Sequence, residues 1–129
     1  MPLIEHRPEG HHVVRRVTAH AVVVDEREFA GSLVLAPDQA IVDFAPRGVA
    51  ELDEAAVDAV LSLAPALVLL GTGTRQQFPA QAVMAAFLRR GIGIEAMDNA
   101  AAARTFNLLA AEGRRVVAVF LLGGEATTA

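Results

Sequence analysis

Apolar residues alternate with polar ones over the first third of the chain and fall at helical spacing after it, so two kinds of structure follow each other. Val13–Val17 and Thr18–Val24 are rich in β-branched residues and predict strands. Asp25-Glu26-Arg27-Glu28 marks a hairpin tip, and Phe29–Leu35 answers it with Phe29, Leu33 and Leu35 on one face. After the turn at Pro37-Asp38, Ile41–Phe44 is a further short strand, which Pro46-Arg47-Gly48 ends. Residues 1–10 hold two prolines and a glycine and are expected to form a flexible arm.

The period then changes. Leu52, Ala56, Ala59, Val60 and Leu63 share one helical face, with Glu51, Asp53, Glu54, Asp58 and Ser62 largely on the other, and Pro65 stops the helix. Leu67–Leu70 is a fully apolar strand ending at Gly71. A second helix opens at Pro79, turns Val83, Met84, Phe87 and Leu88 inward and closes at Gly91. Ile92, Ile94 and Ala96 alternate with Gly93, Glu95 and Met97 in a short strand. Asp98 is placed as the N-cap of a third helix, Asn99–Ala111, with Ala102, Phe106 and Leu109 toward the core. Val116–Leu122 is the last buried strand, and 123–129 reads as a flexible tail. The order ββββ-αβ-αβ-αβ predicts a single three-layer α/β domain over 11–122. Its sheet is mixed, with N-terminal antiparallel strands followed by alternating helices and strands.

Composition narrows the chemistry. At 129 residues, 53% hydrophobic and 20% charged, the chain suits one packed domain and is too apolar to be disordered. Six Phe without Trp or Tyr make the core largely aliphatic. The absence of cysteine excludes disulfides, thiol nucleophiles, iron–sulfur clusters and cysteine-bound zinc, and suits a reducing cytoplasm. The first residues lack an apolar run, so no signal or transit peptide is expected. The runs Ala64–Leu70 and Val116–Leu122 are far below the ~20 residues of a membrane span, so no insertion is expected. Net charge is −4, and the basic pairs Arg15-Arg16, Arg89-Arg90 and Arg114-Arg115 are scattered, which speaks against nucleic acid. His6, His11, His12 and His20 lack acidic residues at ligand spacing, so neither metal nor cofactor is implied. Ser32 and Ser62 stand in no nucleophile elbow, and no catalytic residue is assigned.

Two segments remain. Gly71-Thr72-Gly73-Thr74-Arg75 links a buried strand to a helix, at the carboxyl end of a strand where α/β folds gather ligands. Its glycines suit an anion cradle with Arg75 as counter-charge, and equally a plain tight turn. In the second segment, Glu95 and Asp98 precede a helix on which Arg104 and Asn107 are neighbours. The two carboxylates suit acid–base work, or Asp98 caps, Glu95 is solvated and Asn107 bonds backbone. Gly71, Thr72, Gly73, Arg75, Glu95, Asp98, Arg104 and Asn107 are therefore the expected ligand or partner surface.

Gly71-Thr72-Gly73 after an apolar strand, Pro79, Gly91-Ile92-Gly93-Ile94-Glu95-Ala96-Met97-Asp98, Ala101-Ala102-Ala103-Arg104-Thr105-Phe106-Asn107-Leu108-Leu109 and Glu112-Gly113-Arg114-Arg115 together resemble a known family. It is the domain-of-unknown-function family four-nine-eight, small α/β proteins that include the mitochondrial NADH:ubiquinone oxidoreductase (complex I) assembly factor three. The similarity covers about Gly10 to Leu122. It implies a three-layer α/β domain, no established catalysis in bacterial members, and a helper role in respiratory-complex assembly for the eukaryotic relative. This chain departs from the family at Asn99, where many members carry Thr, and at Phe106, where many carry Tyr.

The leading expectation is a non-catalytic binding or assembly domain of bacterial type, with a protein partner such as a membrane or respiratory-complex subunit. Its rival is an anion- or small-molecule-binding enzyme using a cleft between the Gly71–Arg75 loop and the Asp98–Asn107 helix. Both need the loop and the helix to meet at one rim of the sheet. Neither partner nor oligomeric state is legible in the sequence.

Overall fold

The computed structural model describes residues 3–123. Strands apolar on both sides need cover on both faces, and the chain supplies it as three layers. The main sheet has six strands in the order β1 (Leu3–His6), β6 (Gln39–Val42), β5 (Leu33–Leu35), β9 (Val116–Phe120), β7 (Leu67–Gly71) and β8 (Gly93–Met97). β7 is parallel to both β8 and β9, while β5 is antiparallel to both β9 and β6. A separate antiparallel sheet joins β2 (Val14–Val17), β3 (Val22–Val24) and β4 (Arg27–Phe29). The fold is thus α/β with a mixed main sheet, a small second sheet and three helices.

Successive strand residues point to opposite faces and feed two cores. Val68, Leu70, Val117 and Val119 pack under α1 (Glu54–Leu61) and α2 (Gln81–Leu88), against Val57, Val60, Val83 and Phe87. Leu69, Ala118 and Phe120 pack on the other face, under α3 (Asn99–Ala111) and the small sheet, against Ala102, Phe106, Val22 and Val24. Ala102, Ala103 and Ala110 are all buried, and their small side chains let α3 lie close on β7 and β9.

Several expectations are corrected. Leu3–His6, read as part of a flexible arm, pairs antiparallel with β6 as an edge strand. Phe29–Leu35 is two strands: Phe29 ends β4 in the small sheet, and the chain crosses at Ala30–Ser32 to start β5 in the main one. The first helix begins at Glu54 rather than Leu52, after a 3-10 turn at Val49–Glu51. Pro79 stands outside α2, whose N-cap is Ala80. The expected tail lies, beyond Gly123, outside the described residues. Among the described residues no helix is long and apolar enough to cross a membrane.

β6 runs the same way as β9, because both are antiparallel to β5. The carboxyl ends of β6, β7, β8 and β9 therefore share one rim, and the loops that follow them, beginning at Asp43, Thr72, Asp98 and Leu121, gather there.

Candidate functional site

One threonine folds the glycine loop. Thr72 is buried; its N–H donates to the Met97 carbonyl (2.8 Å). Its hydroxyl lies 2.7 Å from the Arg75 carbonyl and 3.1 Å from that of Met97, and accepts from the Gln77 N–H (3.0 Å). Gln76 donates to the Ala96 carbonyl at 2.8 Å, closing the loop over the end of β8. Gly73 takes φ +102°, a backbone that favours glycine, and its carbonyl accepts from the Asn99 N–H at 2.8 Å.

Asn99 joins the loop to α3. It is 2% exposed, and its Nδ2 donates to the Leu121 carbonyl at 3.0 Å. Its Oδ1 meets no donor among the described residues and occupies the space a Cβ on Gly71 would need. Asp98 caps α3, its carboxylate accepting from the Ala101 N–H at 2.7 Å. Gly73, Thr74, Asp98 and Ala100, with Val17 at the end of β2 and Thr18 and Ala19 of the turn after it, line a cleft of about 220 Å³. The loop and the start of α3 do meet at the rim.

Arg75, Glu95, Arg104 and Asn107 do not line this cleft. Arg75 and Arg104 are exposed, Arg104 one turn beyond Ala100 on the same stripe of α3. Glu95 is exposed on β8. Asn107 lies eight residues from the start of α3, ~12 Å along its axis. Its Oδ1 accepts from the Val14 N–H (2.8 Å) and its Nδ2 donates to the Val14 carbonyl (2.9 Å). The amide thus pairs with β2 as a neighbouring strand would, so its polar atoms are spent on fastening rather than on an open patch.

Two features escaped the sequence reading. A second, larger cleft of about 670 Å³ opens at the rim between Asp43–Pro46 and α1, with Phe44, Pro46 and Ala56 among its walls and Asp43, Glu51 and Asp53 around it. Its signal was composition: residues 43–58 hold five carboxylates and one arginine, which equals the whole chain's −4. The other is Arg115, whose guanidinium donates to the Leu63 carbonyl (2.8 Å and 3.1 Å) and Gln39 Oε1 (2.7 Å) and pairs with Asp38. The bond from Arg115 holds the Asp38 carboxyl below its ordinary pKa, against the opposing effect of partial burial.

Asp98 and the Gly73 carbonyl already take N–H groups from the first turn of α3, and a carboxylate there opposes an incoming anion. His12 Nδ1 is engaged with the Ala36 carbonyl, and the described residues contain no cluster of three metal-ligating side chains.

A Xanthomonas campestris protein solved by NMR is similar at 47% identity over 96% of this chain and 94% of that one, with a TM-score of 0.82. A Bordetella parapertussis crystal structure is 32% identical over 90% and 99%, also with a TM-score of 0.82. A Bordetella pertussis protein described as a Mth938-like domain is 28% identical over 85% of each chain, with a TM-score of 0.73. No curated protein matches the chain. The family model for proteins of unknown function DUF498/DUF598 matches residues 14–121, and the chain belongs to that family.

Proposed function

We propose that the chain is a non-catalytic binding domain that assists assembly of a larger complex, and that its partner contacts the rim cleft beside Gly73 and Asp98. The observation that carries this reading is how the cleft's surroundings spend their polar groups. The Thr72 hydroxyl, the Asp98 carboxylate and the Asn99 amide N–H all serve neighbouring backbone. Such a rim offers shape and a fixed backbone to a protein surface, and withholds the nucleophile–base pair that covalent chemistry requires. The family resemblance adds the class of partner: a subunit of a respiratory complex, met from the cytoplasmic side.

A photo-crosslinking side chain placed at Ala100, in the cleft, tests the proposal in cells that make the protein naturally, with Glu112 at the far end of α3 as control. A discrete adduct with another protein from Ala100 and none from Glu112 is the expected result. Adducts only between copies of the chain, or identical adducts from both positions, refute it. A phosphorylated metabolite that raises the melting temperature, and fails to do so in both Arg75→Ala and Arg104→Ala, would favour the small-molecule rival instead.

A further inference from the structure

The outer face of the α1–α2 layer carries opposite charges at its two ends and leaves them apart. Both helices start at the carboxyl rim and run away from it, since each leads into the start of a parallel strand. Between them lies a groove of about 580 Å³. Its rim end carries Glu54, with Asp58 one turn further along α1, and its far end carries Arg89 and Arg90 after α2. Among the described residues no ion pair joins these acids to these arginines. Asp53 caps α1 through the Ala56 N–H at 2.9 Å, and Arg90 also donates to the Ala86 carbonyl at 2.8 Å.

We propose that this face is the contact surface of a two-fold symmetric dimer of the chain. A surface negative at one end and positive at the other is complementary to itself when turned end over end. A two-fold axis across the groove therefore sets Glu54 and Asp58 of each copy against Arg89 and Arg90 of the other. The groove also accepts a helix sterically. Ala82 and Ala86 are small enough for close approach, and Val57 and Val83 give an apolar floor. An unrelated basic segment would satisfy the acidic end alone, and an acidic one the arginines alone; a second copy satisfies both.

Two charge-reversed proteins test this, Arg89→Glu/Arg90→Glu and Glu54→Arg/Asp58→Arg, both altered at solvent-facing positions and checked for folding by circular dichroism. In sedimentation velocity up to the millimolar range the natural chain dimerises, and added salt weakens the dimer. Each reversed protein alone places like charges in contact and associates roughly tenfold or more weakly. Mixed together they form a heterodimer, because each then meets its opposite. A natural chain that stays monomeric throughout overturns the proposal, as does a salt-insensitive dimer. So does a mixture that associates no better than its parts.

Discussion

The two helical layers covering the main sheet are fastened by different chemistry. α3 is held by directional bonds to backbone far away in the sequence, from Asn99 to Leu121 and from Asn107 to Val14. α1 and α2 rest on the sheet through apolar contacts, and Asp53, Ser62 and Arg90 bond backbone of their own helix region. Hydrogen bonds fix angle and register, whereas apolar packing of similar volume tolerates adjustment. The α3 layer is therefore a rigid bracket for the rim loops, and the α1–α2 layer turns its charges outward. Polar residues on an alanine-rich helix need not signal a ligand; here Asn107 takes the place of a strand neighbour of β2, and Asn99 ties the helix start to the chain just past β9.

The sharpest way to break the contrast is to add one methyl group under the bracket. A Cβ on Gly71 collides with Asn99 Oδ1 and comes within 2.8 Å of the Val119 carbonyl, so α3, β7 and β9 must shift together. Overpacking of this kind costs up to about 3 kcal/mol, and the upper end is expected for Gly71→Ala because one neighbour is backbone. Asn99→Ala removes the other obstacle. In urea unfolding the double variant should recover at least ~1 kcal/mol relative to additivity. Strictly additive losses would show that Asn99 does not hold α3 against Gly71.

Asn107→Ala comes next, at ~2 kcal/mol, since two half-buried bonds are lost and the Val14 N–H and carbonyl are left without that partner. Asn107→Asp keeps an acceptor for the N–H but sets a charge against the carbonyl, so it should not rescue. Hydrogen exchange at the Val14 amide should accelerate in both. A loss below ~0.5 kcal/mol for Asn107→Ala would place the fastening in the apolar contacts instead.

The helix starts offer a smaller comparison. Asp53 and Asp98 cap α1 and α3 through their side chains, whereas α2 begins at Ala80 with no side-chain cap. Asp98→Ala should cost ~1 kcal/mol. Ala80→Ser, at a backbone already extended, should gain ~0.5 kcal/mol or slightly more in thermal unfolding. A neutral outcome for Ala80→Ser would mean that packing alone sets where α2 begins.

Local signals were legible in the sequence and long-range ones were not. The limits of α3 follow from Asp98 and the 3.6-residue period, and β7 and β9 from unbroken apolar runs. The glycine loop's place at the rim follows from the rule that strand carboxyl ends gather in parallel sheets. The pairing of β1 with β6 has no signature in the first ten residues, and two prolines there point the other way. The crossing from one sheet to the other at Ala30–Ser32 preserves strand-like composition on both sides and so leaves no mark. Asn107 was visible as a polar residue on α3, but its partner lies 93 residues away and no spacing rule reaches it. Asn99 was visible as the first residue after a cap and as a departure from the family's usual Thr, but its burial depends on Gly71 lacking a side chain.

The smallest expected effect concerns the directional bonds at the far end of α1. Arg115 donates to the Leu63 carbonyl just past that helix and reaches Asp38 on the β5–β6 turn and Gln39 at the start of β6, tying these segments together. Because the bond from Arg115 lowers the Asp38 pKa in the folded chain, the unfolded chain takes up the proton first as pH falls. The stabilisation is complete above the ordinary aspartate value of about 3.9 and disappears as pH drops through the lower folded value. Asp38 is 53% exposed, so the effect is small and weakens with salt. The stability difference between the natural chain and Asp38→Asn should stay flat above about pH 5 and shrink below about pH 4. Arg115→Ala should cost more than Asp38→Asn at neutral pH and keep most of its cost in acid, since the bonds to the Leu63 carbonyl do not titrate. If both variants instead lose their effect over the same acidic range, Arg115 acts through Asp38 alone, and the end of α1 has no polar tie of its own from that side chain.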